Sequence, residues 1–218
     1  MLEIMYENAR QKDTDILICR SREYHEGSAR YQNADFTIEK RFLPDKSIFN
    51  YRDIPEHIIG FCIGWPWDKL YRTSFIRRYH LTFPALHNSE DAAFVFTSLV
   101  LANSISVIDD QLIVHRKTAT SLENRRDEDC LCFIESARKI RNQLSTYGLY
   151  TAVERSFINW FVEQCSWQMD TLNEINSKKV LNKLTAETFQ ELAIEQKDQH
   201  YFYDQANYLK LKQKGLFR

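Results

Sequence analysis

Apolar residues at Leu2, Met5, Tyr6 and Ala9 recur at helical spacing, and behind them Ile16, Leu17, Ile18 and Cys19 form an unbroken apolar run. The first pattern predicts a helix over 2–9, the second a buried strand. Residues 20–41 alternate polar and aromatic positions (Tyr24, Tyr31, Phe36), which predicts two strands joined by a turn at Glu26, Gly27 and Ser28. Residues 54–59 suit a short helix with Pro55 near its first turn. Large apolar residues alternate again over 67–71. A short half-buried strand is expected there, with Trp67, Lys69 and Tyr71 on one face and Asp68 and Leu70 on the other. Thr73 is positioned to cap a helix over 74–79, and Ser89 to cap a longer one through Asp91, Phe94, Val95, Ser98, Leu99 and Ala102. Strand-like runs at 106–108 and 112–115 then flank a turn at Asp109 and Asp110.

From about Asp127 the pattern turns helical. Leu131, Ile134, Ala137, Ile140 and Leu144 line one helix face and end at Tyr147 and Gly148, a glycine stop. Val153, Phe157, Trp160, Phe161, Cys165 and Met169 form a second stripe, and further helices are expected over 185–196 and 199–214. Such stripes belong to cores. The division that follows is a mixed part, residues 1–121, and an α-helical part, residues 122–218.

Composition narrows the partners more than the chemistry. The chain has 218 residues, 44% of them hydrophobic, enough for a sizeable core. With 29 basic and 30 acidic residues the net charge is −1, so nucleic acid and anionic membranes are not expected as main partners. No apolar run approaches the ~20 residues of a membrane span, and the acidic, helical start does not read as a secretory signal. The tail LKLKQKGLFR mixes Lys with Leu209, Leu211, Leu216 and Phe217, which would allow weak contact with a membrane surface, although a solvated helix end is the plainer reading. Five Cys without a CxxC pair point to a reducing, cytoplasmic compartment.

The chemistry concentrates in residues 65–91, WPWDKLYRTSFIRRYHLTFPALHNSED. Pro66 forces Trp65 to be extended, and Glu90 and Asp91 open the helix that Ser89 introduces. PWDKLYRTSFI, LTFP, SEDAAFVF and ANSISVIDDQLIVHR occur in an order and spacing that resembles the second half of the catalytic domain of bacterial family 2 glycosyltransferases, which have the GT-A fold. The resemblance covers roughly residues 1–121. It implies an α/β fold, a partial GT-A-like mixed sheet with flanking helices, followed by the helical C-terminal region. It also implies that the nucleotide-binding half, with its metal-holding DxD, is missing from this chain.

By that resemblance Asp91 is the general base for an acceptor hydroxyl in an inverting transfer from a nucleotide-sugar, as in cell-surface polysaccharide synthesis. Trp65 and Trp67 would supply a stacking wall for a sugar, with Asp68, Lys69, Glu90 and Arg116 as further substrate contacts. His115 would be a ligand for a divalent cation, Mn2+ or Mg2+, in the complete enzyme; the plainer alternative is a strand end with a satisfied imidazole. Asp13 and Asp15 also spell DxD, but their place between a helix and a strand suits turn chemistry. The partners implied are a sugar acceptor, a nucleotide-sugar donor once the enzyme is completed, and a second copy or partner chain covering the unfinished sheet. The location implied is cytoplasmic, at the inner face of the membrane at most. Two other readings stand beside this one: a non-catalytic remnant acting as a binding module, and a structural protein in which WPWDKL and SED are packing and capping elements.

Overall fold

The computed structural model describes residues 1–118 and 127–217. Its organising strand is β1 (Ile16–His25), whose alternating side chains serve two cores. Leu17 and Cys19 pack with Ile108 and with Met5 of α1 (Leu2–Lys12). Ile16 and Ile18 point into a larger cluster. Antiparallel partners share one edge of β1: β3 (Lys69–Tyr71) lies beside its start and β2 (Arg30–Asn33) beside its end, with Tyr24 opposite Tyr31. The parallel strand β4 (Ile105–Lys117) runs along the other edge.

The junction between α1 and β1 resolves the DxD question in favour of a turn. Asp13 adopts a left-handed φ of 50° as the C-cap of α1 and accepts a hydrogen bond from Arg72 at 2.5 Å. Asp15 accepts from the Asn103 amide at 2.9 Å. The Asp13 carboxylate is thus tied to the Arg72 side chain and the Asp15 carboxylate to the backbone ahead of β4.

Three expected features change. The runs at 106–108 and 112–115 are one strand, and Asp109 and Asp110 lie within it. There the register slips, because Ile18 faces Val107 while Arg20 faces Gln111. The extra β4 residues bulge outward, and Asp109 is held by Arg20 at 2.7 Å and Lys40 at 3.2 Å. Residues 54–59 form successive turns rather than a helix. Ile54, Ile58 and Ile59 are all buried, and the Ile59 amide donates to Ser156 Oγ at 2.9 Å instead of to a helical carbonyl. Thr73 is the first residue of α2 (Thr73–Arg78), not its cap; Arg72 takes that position.

The long helix α3 (Glu90–Leu101) packs on α4 (Cys132–Thr146), which ends before Gly148 at φ 69°. Next come α5 (Tyr150–Thr171) and the unexpected α6 (Glu174–Lys183), capped by Asn173. A wide turn over Leu184–Thr188 leads into the short α7 (Phe189–Glu191), and Asp204 caps α8 (Gln205–Gln213). The tail folds inward: Leu211, Leu216 and Phe217 are buried, the Phe217 ring lying against Phe189, Phe202 and Tyr208. Of its apolar side chains only Leu209 is exposed, so the tail offers a membrane surface little to grip. No helix among the described residues is long and apolar enough to cross a membrane.

One hydrophobic cluster joins the sheet to the helices, from Ile16 to Phe217, with the Phe96 and Trp160 rings 4.9 Å apart where α3 meets α5. The domain boundary expected at 121–122 lies outside the described residues. Because Phe161 is fully buried in this shared cluster, Phe161→Ala is expected to cost about 3–5 kcal/mol and to lower the sheet and the helices together. Urea unfolding followed by far-ultraviolet dichroism and by indole fluorescence should give coincident curves; separate transitions would show that the core does not couple them.

Candidate functional site

The centre of the site is a buried cation. The side chains of Asp68 and Lys69 are both 0% exposed, their charged groups 2.7 Å apart. The Lys69 ammonium also donates to the carbonyls of Ile63 at 3.0 Å and Trp65 at 2.7 Å. All three of its donors are thereby used, and the loop before β3 is pulled onto the strand. Burial raises the Asp68 pKa even though the ammonium works against that shift. Neither side chain reaches a solvent-borne ligand, so their expected role as substrate contacts becomes one of holding the Trp65 loop in place.

That loop rests on the start of α3. A side chain at Gly64 would meet the Phe96 ring at 3.1 Å and the Ala92 Cα at 3.4 Å, so glycine permits the close approach. Trp65 is thereby set beside the first turn of α3, which carries Glu90 and Asp91. Its ring stacks on Trp67 at 4.5 Å, and Phe36 approaches it edge-on at 5.9 Å. His115, arriving from β4, closes the row at 4.9 Å from Trp65 and 5.2 Å from Trp67. The result is a half-exposed aromatic wall on the loop that Gly64 seats against Ala92 of α3.

Asp91 is half-buried at this corner. Burial pushes its pKa up to about 6, the neighbouring Glu90 charge adds to the rise, and Lys69 opposes it. Ser89 does not cap α3 with its hydroxyl. It adopts a left-handed φ of 63°, its Oγ donates to Asn88 at 2.5 Å, and its carbonyl accepts from Ser136 Oγ at 2.7 Å. A non-glycine residue in this region carries ~1–2 kcal/mol of strain, here directly before the carboxylates.

Tyr71 also belongs to the site. Its ring lies 5.1 Å from Phe94, which stacks on Phe83 at 4.2 Å. Its hydroxyl is buried without a hydrogen-bond partner, and Asp91 contributes to raising its pKa after desolvation. The alternation through β3 put Tyr71 on the face of Trp67 and Lys69, a signal that could have singled it out.

The remaining expected residues are engaged within the protein. Arg116 is exposed and paired with Glu26 at the far end of β4, so in this arrangement its fork is occupied by a carboxylate. His115 is packed in the aromatic wall, and Asp13 and Asp15 are tied to Arg72 and Asn103. Among the described residues no group of three or more His, Cys, Asp and Glu side chains is gathered to hold a metal ion.

No family model matches the chain. EpsH of Bacillus subtilis strain 168, described as a proposed glycosyltransferase, is 30% identical over 122 residues, covering 52% of this chain and 32% of EpsH. The crystal structure of S. aureus TarS 1-349 in complex with UDP superposes with a TM-score of 0.60 at 16% identity, covering 89% of this chain and 52% of that one. The same protein in complex with UDP-GlcNAc gives 0.52 at 16% identity, with coverages of 84% and 56%. The chain thus has the fold of part of TarS 1-349, and it spans about a third of EpsH and about half of TarS 1-349.

Removing one member of the buried pair strands the other. Lys69→Met is expected to destabilise by about 3–5 kcal/mol and to red-shift indole emission as the Trp65 loop loosens. The double variant Asp68→Leu/Lys69→Met should regain most of that stability without restoring the emission, a separation that denaturation and fluorescence can read together.

Asp91 gives a pH signature of definite sign. Its folded pKa lies above the ordinary 3.8, so the protonated form is favoured in the fold. The stabilisation is complete below about 4 and is lost as pH rises through about 6. Thermal melting should therefore decline across that window, the decline should shrink in Asp91→Asn, and that variant should melt above the wild type at neutral pH. An identical pH profile in both proteins would place Asp91 in bulk solvent.

Proposed function

We propose that this chain is the acceptor side of an inverting glycosyltransferase of cell-surface polysaccharide synthesis. The observation that carries the reading is the half-buried Asp91 in the first turn of α3, the helix against which Gly64 seats the loop that carries the Trp65, Trp67 and His115 wall. A pKa near 6 leaves the carboxylate ionised at neutral pH yet more basic than an exposed Asp, which suits a general base. A sugar ring lies with its C–H face on the indoles, and Asp91 takes the proton from its attacking hydroxyl. The oxygen bonds to the anomeric carbon of the donor as that carbon's bond to the nucleoside diphosphate breaks, so the configuration inverts. Tyr71 and the Lys69 ammonium hold the local field around the base, Lys69 through bonds internal to the protein.

A UDP-sugar is the donor we favour, by likeness to the TarS complexes with UDP and UDP-GlcNAc. Because the described residues gather no group of three or more metal-ligating side chains, we assign the diphosphate and any Mn2+ or Mg2+ to structure outside them. The outer face of α1 exposes Leu2 and Tyr6, 68% and 63%, and β3 pairs with β1 alone among the described strands. A partner chain or second copy is the occupant this reading requires there, with the assembly working at the cytoplasmic face of the membrane.

The alternative of a non-catalytic subunit predicts a different response to substitution. In the enzyme completed with a nucleotide-binding half, Asp91→Asn should lower kcat by ~10²-fold or more, since a positioned base contributes ~10²–10⁴. Glu90→Gln should cost far less, because its side chain projects about 100° away around α3. Equal, small losses would exclude Asp91 as the base and favour the subunit reading. Calorimetry of the chain alone with UDP and Mn2+ should show no micromolar binding; such binding would return Asp13, Asp15 and His115 to the donor site.

A further inference from the structure

A second concavity lies away from Asp91. It is a cleft of about 650 Å³ between the 41–60 segment and the helices α5 and α8, within the ~300–1,000 Å³ typical of small-ligand sites. One wall is the Phe42 and His57 pair, stacked at 3.9 Å and 8° between planes, with the Tyr203 ring 5.1 Å from His57. Burial lowers the His57 pKa, which keeps this stack neutral. Trp160 forms part of the opposite wall.

The polar groups of the cleft are unequally satisfied. Its cations are paired inside the protein: Arg41 with Glu39 at 3.2 Å, and Arg155 with Glu56 at 3.0 Å and with the carbonyls of His200 and Tyr201. Two of its acceptors have no protein donor. Gln205 Oε1 is buried with no donor, and its amide nitrogen already serves the Gln199 and Phe202 carbonyls. Glu163 lines the cleft and accepts no hydrogen bond from the described residues, and burial together with the charges of Asp204 and Glu39 raises its pKa. Acceptors without donors, set among aromatic rings, call for a ligand rich in hydroxyl or amino groups with apolar C–H faces. The same carboxylates repel phosphate and uronate groups, so this is not a donor-diphosphate site.

We propose that this cleft binds a non-anionic saccharide, neutral or amino-substituted. Its position gives that ligand a role. The segment that presents Phe36 to Trp65 continues directly to Arg41 and Phe42 in the cleft wall, and Trp160 touches Phe96 beneath Gly64. As a distal subsite for an oligomeric acceptor the cleft rests on the glycosyltransferase reading; as a saccharide site it does not.

Saturation-transfer NMR on the full chain, with chitotriose, the glucosamine trisaccharide and a triuronate as probes, tests this. Saturation is expected on the first two and not on the third. Glu163→Gln, an isosteric change at an accessible side chain, should weaken the glucosamine trisaccharide at least ~10-fold, and Trp65→Ala should leave binding in place. Silence from all three probes, equal binding of the triuronate, or indifference to Glu163→Gln would overturn the proposal. Loss of binding in Trp65→Ala alone would also overturn it, by moving the saccharide to the Asp91 wall; an inactive Asp91 with intact cleft binding would instead overturn only the glycosyltransferase reading.

Discussion

The Lys69 ammonium, dry and fully coordinated, is the constraint on which the site depends. A buried charge is costly to desolvate and is tolerated only where every proton finds an acceptor. Here the acceptors are Asp68 and the carbonyls of Ile63 and Trp65, which converts an electrostatic requirement into a geometric one. The loop can occupy only positions that bring both carbonyls to one nitrogen. Gly64, between them, then has to lie flat on Phe96 and Ala92, so the strand, the aromatic wall and the start of α3 are fixed to one another through a single side chain.

Asp91 inherits its character from that arrangement. A carboxylate in the first turn of a helix ordinarily gains from the backbone dipole and keeps a low pKa. At this corner burial and Glu90 outweigh both the dipole and Lys69, and the pKa rises to about 6. The left-handed Ser89 contributes by turning its hydroxyl to Asn88 and its carbonyl to α4 instead of capping the helix. Strain and desolvation gather at the same few residues, as happens where structure serves chemistry more than stability.

Much of this was legible from periodicity. The continuous apolar run of β1, the alternation through β3 and the stripes of α4 and α5 are strong signals because each is bounded by its own turn or stop residues. What the pattern could not supply was depth. Alternation set Lys69 on the face of Trp67 but gave no sign that it would be sealed from water, which depends on Ile63 and Trp65 folding back over it. The bulge at Asp109 was equally hidden, since two adjacent Asp resemble a turn unless the distant Arg20 and Lys40 are known to hold them in a strand. In α6 only Val180 is buried, so the sequence there carries almost no stripe, and the helix owes its place to Asn173 and to packing on α5.

The helical region is more than a lid on the sheet. Its stripes complete the core under α3, and Phe96 meets Trp160 at the point where Gly64 presses from the other side. A shift of α5 toward or away from α3 would therefore reach the Trp65 loop through rigid aromatic contacts, and the loop's two carbonyls would carry it to Lys69. Close-packed interiors transmit displacement because they lack space to absorb it. The geometry at Asp91 is thus set jointly by a strand that begins with a buried ammonium and by a helix pair that lies behind it, so the sheet and the helical region share one core.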